Sequence, residues 1–235
     1  MSIWEREAEN WVRWARTPDF DAYWRYRDAF FDEVVPSPGR RTIDVGCGEG
    51  RVSRDLAARG HHAVSVDLSP TMIRYASAAD PNHPYVVADA MALPFADSTF
   101  DLAVAYNSIQ NILDLDRAVR ETSRVLVQGG HLCICTTHPM ADAGRFESTE
   151  PDAAFVINTP YLETRWLDET FERDGLTMRF TCPALPLQRF AHALYSSGFL
   201  IELIQEPRMP RRRDASDERW ERIPMFMFLR AVKSG

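Results

Sequence analysis

The sequence predicts an α/β fold: a doubly wound, mostly parallel seven-stranded sheet with helices on both faces, an aromatic amino-terminal helical cap and an insertion after strand five. Three observations carry that reading. From residue 40 to 137 short apolar runs alternate with helical stretches, the rhythm of right-handed crossovers between parallel strands. Nine of the chain's 26 aromatic residues crowd into residues 4–31. The rhythm then breaks over residues 139–183, where acids, aromatics and prolines mix, and resumes to the end. A chain of 235 residues that is 45% apolar and 26% charged is long enough for one large core.

The elements follow in order. Trp4, Trp11 and Trp14 share the spacing of one helical face, and Tyr23, Tyr26 and Phe30 repeat it, so two short amphipathic helices are expected, serving as packing surface or as a lid. Pro36-Ser37-Pro38-Gly39 closes this cap, residues 1–38. Strands are expected at 41–45, 63–66, 85–88, 102–106 and 132–136. Helices are expected at 51–59, ending at Gly60, at 69–79, opened by Ser69 and Pro70, and at 115–127, followed by a turn at Gly129-Gly130. These form a core at residues 39–138. An insertion at 139–185 would cover a substrate, and residues 186–235 complete the sheet with a helix at 187–197 and strands near 199–204 and 225–232.

The informative segment is Asp44-Val45-Gly46-Cys47-Gly48-Glu49-Gly50. Glycines at a strand-to-helix turn let the backbone approach a ligand closely and bring the helix amides to it. Asp67 ends the next strand, where a carboxylate can accept hydrogen bonds from both ribose hydroxyls. A dinucleotide would bring a pyrophosphate to this loop, against Asp44 and Glu49, and Arg51 stands where that motif needs a small residue. Carboxylates around the loop suit a cation instead, which sets an NAD-dependent oxidoreductase well behind.

Thr42 to Gly50 resembles the first motif of class I S-adenosylmethionine-dependent methyltransferases, small-molecule enzymes with a Rossmann-like core. Val64 to Met72 is similar to the second motif, and the resemblance implies that Asp67 takes the ribose, beside Leu68 and Met72. Ala88-Asp89-Ala90-Met91-Ala92-Leu93-Pro94-Phe95 resembles the stretch whose acid meets the adenine amino group beside an apolar neighbour, here Asp89 and Ala90. Phe100 to Ser108 resembles the fourth strand, whose end lies near the methionine part of the cofactor and would present Tyr106 and Asn107. Arg124 to Gly130 is similar to the family's arginine-led turn, with Gln128 where proline is common. The likeness spans residues 40–137. It implies S-adenosyl-L-methionine as cofactor, S-adenosyl-L-homocysteine as product, and cofactor contacts at Asp44, Gly46, Cys47 and Gly48.

Methyl transfer is an in-line displacement in which alignment and exclusion of water carry much of the rate. A base is needed only if the acceptor must lose a proton. His138, after strand five at the ligand-binding edge, is the best-placed base, and Tyr26 is expected to reach down from the cap. The acceptor is expected to be a small molecule, a specialised metabolite methylated at O, N or an electron-rich aromatic C. The alternative is a cofactor-binding protein of the same fold with a non-methylating or regulatory role.

Other classes fare worse. Net charge is −7, and the tetrad of nucleic-acid amino-methylases is missing after Ser108, so no nucleic-acid partner is expected. Arg211-Arg212-Arg213 is followed by Asp214, Asp217 and Glu218 and reads as a solvated loop. Cys47, Cys133, Cys135 and Cys182 form no C-x-x-C pair and read as buried thiols, and no metal site is expected. With no membrane-length apolar run and no apolar leader, a cytoplasmic monomer or homodimer is expected.

Overall fold

The computed structural model describes residues 2–209 and 215–235, so the Arg211–Arg213 run lies outside the described residues. Two helices lead: α1 (Ile3–Arg16) and α2 (Tyr23–Glu33). The core then runs β1 (Arg41–Val45), α3 (Arg51–Ala58), β2 (His62–Asp67), α4 (Pro70–Ala79), β3 (Tyr85–Val87), β4 (Phe100–Tyr106), α5 (Leu115–Val125) and β5 (Leu126–Thr137). Helix α6 (Pro139–Ala143) and two hairpins follow, β6 (Gly144–Phe146) with β7 (Phe155–Ile157) and β8 (Arg165–Arg173) with β9 (Leu176–Ala184). Helix α7 (Leu187–Ser196), β10 (Phe199–Gln205) and β11 (Phe226–Lys233) end the chain.

Among the described residues the main sheet has seven strands in the order β10-β11-β5-β4-β1-β2-β3, with β11 antiparallel to both neighbours. This is the expected doubly wound sheet. Inner strand β4 is buried on both sides, which is why it reads as an apolar run, with Leu102, Ala103, Val104 and Ala105 all without exposed surface. One face packs on α5 and α7 through Val119, Phe190 and Leu194, and the other on α2 and α3 through Tyr26, Phe30 and Leu56. Burying one such side chain stabilises by about 1.5–3 kcal/mol.

Local signals hold where they were mechanistic. Ser69 Oγ accepts from Met72 N at 3.1 Å with Pro70 in the first turn, so α4 starts where the cap and proline placed it. Arg124 donates to Leu93 O at 2.9 Å and Phe95 O at 2.8 Å, tying the end of α5 to the loop that carries Asp89. Two expectations change. Helix α5 ends at Val125, and Gly129-Gly130 lies inside β5, whose pairing with β4 shifts register between Phe100 and Leu102. The cap also divides: α2 is core, with Tyr23, Tyr26 and Phe30 at most 2% exposed, and only α1 lies over the carboxyl edge of the sheet.

Candidate active site

The loop between β1 and α3 passes through left-handed backbone at Gly46 (φ +74°), Gly48 (φ +55°) and Gly50 (φ +87°). At Gly46 a Cβ would stand 2.5 Å from Ser108 Cβ, so the loop and the end of β4 touch at a spot only glycine fits. Beneath it Asp44 is buried and accepts from Ser53 Oγ at 2.7 Å, and burial pushes its carboxyl up to about 7. Asp44 therefore ties β1 to α3 under the loop. Cys47 is buried, and burial raises its thiol well above the usual range.

Asp67, at the end of β2, accepts from Gly48 N at 2.9 Å and Ser69 N at 2.8 Å. One carboxylate thus holds the glycine loop and the start of α4 while standing at the carboxyl edge, although burial raises its pKa. Leu68 is 53% exposed beside it, and Asp89, half-buried, accepts from Met91 N at 2.8 Å. Ala90 packs against the main core. Met72 faces α1, in contact with Ala8 and Val12. Glu49 differs from its expected role: its carboxylate is 1% exposed and pairs with Arg16 at 2.7 Å and Arg54 at 2.9 Å, so its charge is already met.

Helix α1 covers this edge. Its Glu5 accepts from Thr71 Oγ1 at 2.8 Å and from the Ser69 hydroxyl. Trp11 Nε1 lies 3.2 Å from the position a Gly48 Cβ would take. Trp11 and Trp14 meet Phe180 of β9 edge to face, at 6.0 and 6.2 Å between centroids, and Phe171 adds a further ring at 5.7 Å. Arg51 locks the assembly. Its guanidinium stands 2.7 Å from Asp21, 4.1 Å over the Tyr23 ring and 5.0 Å over the Trp11 ring. The sequence points to neither Glu5 nor Arg51 as a site residue; the signal it carries for Arg51 is a bulky side chain at a glycine-motif position.

The two expected catalytic residues are placed differently. His138 is buried and caps α6: Nδ1 accepts from Met140 N at 3.1 Å, and Nε2 lies 3.0 Å from Glu206. With Nδ1 accepting, Nε2 carries the proton and donates to Glu206, so neither nitrogen is free to take another. Tyr26 is 1% exposed, meets Phe226 edge to face at 5.0 Å between centroids, and has its hydroxyl pushed up to about 12 by burial. It belongs to the core rather than to the covered edge, because α2 turns its aromatic stripe onto the sheet. At the end of β4, Tyr106 is buried against Tyr23 and Phe30 with no partner for its hydroxyl. Asn107 (φ +49°) donates its backbone N–H to Cys135 O at 2.7 Å. Asp142, on α6, accepts from Thr137 Oγ1 at 2.9 Å, and burial pushes it up to about 6.

The arrangement fits S-adenosylmethionine. The glycine loop admits close backbone contact, the Asp67 carboxylate is pre-oriented by two amides, and the exposed Leu68 and half-buried Asp89 offer an apolar face and an acceptor on the adjoining rim. Among the described residues the arginines at the loop are already paired: Arg51 with Asp21, and Arg16 and Arg54 with Glu49. No helix of the described residues is long and apolar enough to cross a membrane.

Comparison with known proteins agrees. Residues 43–134 match the family described as a methyltransferase domain. The demethylmenaquinone methyltransferase of Renibacterium salmoninarum is 33% identical over 127 residues, 54% of each chain. The ubiquinone/menaquinone biosynthesis C-methyltransferase of a Ruegeria species is 38% identical over 121 residues, 46% of this chain and 47% of that one. The chain thus spans about half the length of the curated relatives it matches. A solved S-adenosylmethionine-dependent methyltransferase from Mesorhizobium loti superposes with a TM-score of 0.71 at 27% identity, over 90% of this chain and 98% of the other.

Proposed function

We propose, from the premise that residues 43–134 form the methyltransferase domain of an S-adenosylmethionine-dependent enzyme, that the whole chain methylates a small molecule beneath α1 and the β8–β9 hairpin. The observation that carries this reading is the gathering of the glycine loop, Asp67 and Asp89 at one sheet edge, roofed by Trp11, Trp14, Phe171 and Phe180. Asp67 would hold the ribose, Asp89 the adenine amino group and the Gly46–Gly48 backbone the methionine part.

The cofactor, when bound, supplies a methyl group on a positively charged sulfur that is itself the leaving group. The chain's task is to hold the acceptor's nucleophilic atom in line and to keep water out. The aromatic roof favours a flat acceptor reacting at O, N or an electron-rich C, and a specialised metabolite of that kind is our reading. One curated relative is named for demethylmenaquinone and the other for ubiquinone/menaquinone biosynthesis, while α1 and the hairpin lie outside the family match at residues 43–134, and our reading assigns acceptor choice to that roof. Aromatic side chains there give large contact area at little entropic cost. A proton leaving the acceptor would pass to solvent rather than to His138.

Incubation of the full chain with methyl-labelled cofactor and a panel of small aromatic acceptors tests this. Label should appear in a small-molecule product, with S-adenosylhomocysteine formed in equal amount. Tight S-adenosylhomocysteine binding without transfer to any acceptor would favour the non-methylating alternative.

A further inference from the structure

Gln110 sits on the short turn Ile109–Asn111 after β4 and is 6% exposed, yet its Oε1 has no hydrogen-bond partner. Such atoms are rare, because an unpaired buried acceptor forfeits its bond to water. Its neighbour on the turn is paired: Asn111 Nδ2 donates to Asn107 O at 3.0 Å. Position gives the orphan oxygen a meaning. Two residues earlier Ser108 lies against Gly46, and the turn itself packs on β5 and on β9 of the hairpin. The turn that carries Gln110 therefore joins the end of β4 beside the glycine loop to the hairpin that carries the aromatic roof, the region where an acceptor must lie if the proposed function holds. Thr136 Oγ1, near the end of adjacent β5, is a second fully buried and unpartnered polar atom.

We infer that Gln110 Oε1 accepts a hydrogen bond from the methyl acceptor, so that the acceptor carries a hydroxyl or N–H donor on its aromatic body. Gln110 is then a specificity-determining residue, and phenols and aromatic amines are the favoured classes. The inference rests on the transferase reading but adds a residue and a chemical requirement to it.

Two variants of the full chain, Gln110→Met and Gln110→Glu, test it. Methionine keeps the length and removes the orphan oxygen, so the free protein should gain about 2–4 °C in Tm. Affinity for S-adenosylhomocysteine, measured by calorimetry, should not change. Against a panel of phenols and aromatic amines with methyl-labelled cofactor, the methionine variant should raise acceptor KM about 10-fold or more, the loss of one bond to a buried group. Gln110→Glu retains an oxygen and should recover most of that loss. Panel members without a donor should be poor acceptors for the wild type and indifferent to the substitution. Unchanged acceptor KM in Gln110→Met overturns the role of Gln110 while leaving the transferase reading intact. A lower Tm for that variant would show that the amide is already satisfied and would also overturn it. Failure of the wild type to bind S-adenosylhomocysteine, or to methylate any panel member, overturns the transferase reading and this inference with it.

Discussion

Arg51 offers the sharpest test of how the covering helix is held. Its side chain is 12% exposed and that of Asp21 16%, with 2.7 Å between charged atoms. The guanidinium also donates to Ala15 O at 3.4 Å and lies over two rings. Charges about 4 Å apart at an effective dielectric of about 20 attract by about 4 kcal/mol. Desolvation takes most of that back, so the pair adds little net stability, but removing one partner strands the other at about 3–5 kcal/mol. The contact to Asp21 is close without being a well-aligned hydrogen bond, which favours the lower end. Arg51→Met, which keeps the packing stem, should therefore destabilise by about 3 kcal/mol, including about 1 kcal/mol of lost cation–π attraction. Asp21→Asn should show about 1.5 kcal/mol or more of coupling to it in a double-mutant cycle by urea unfolding. Hydrogen exchange supplies the local readout: protection should fall over residues 3–16 and persist over α2. Additivity within about 0.5 kcal/mol, or equal loosening of both helices, would refute the reasoning.

Other expectations follow from single contacts. Asp67→Ala should weaken S-adenosylmethionine binding by about 1.5–3 kcal/mol in calorimetry and also lower Tm, because it frees Gly48 N and Ser69 N. Gly46→Ala, placed at φ +74° against Ser108, should destabilise by about 2 kcal/mol or more in urea unfolding; a near-neutral result would mean that loop and β4 do not touch. Burial raises Asp44 to about 7, so the folded chain retains a proton that the unfolded chain releases. Its contribution is full below the model-peptide value of 3.8 and is lost as pH rises through about 7, so Asp44→Asn should flatten the fall of Tm across that window. His138→Ala should remove a helix cap for about 1 kcal/mol and slow turnover less than 10-fold. A loss of about 10²-fold or more in a folded variant would restore its role as base.

The core was legible because its physics is local. Buried parallel strands such as β4 are mostly apolar, Ser69 and Pro70 mark a helix start by their own chemistry, and the glycine loop declares its backbone. The cap was half legible: the same aromatic spacing occurs in α1 and α2, and periodicity reports a buried stripe without saying what buries it. Tyr26 was misplaced for that reason. His138 was misread because Glu206, which occupies Nε2, comes from beyond β10. The β8–β9 hairpin escaped altogether. Its first strand carries Asp168, Glu169, Thr170 and Glu172, all exposed, and what seats the hairpin is ring contact with α1, a pairing invisible along the chain. Gln110 gave no signal either, since an orphaned oxygen is a property of surroundings.

Helix α1 leans on the glycine loop through Trp11 and on the hairpin through Trp11 and Trp14. A helix of 14 residues is a stiff rod about 21 Å long, and a stiff rod tilts as a whole. Any tilt that lifts Trp11 off the glycine loop therefore also disturbs Trp14 against Phe180. For the proposed transferase this turns two exchanges into one stroke: the spent nucleoside cannot depart while the acceptor chamber stays undisturbed. Steady-state kinetics should consequently follow a compulsory sequence, donor first, with a dead-end acceptor analogue uncompetitive against the methyl donor. Loosening the rod's anchorage at Arg51 would relax that sequence toward random entry.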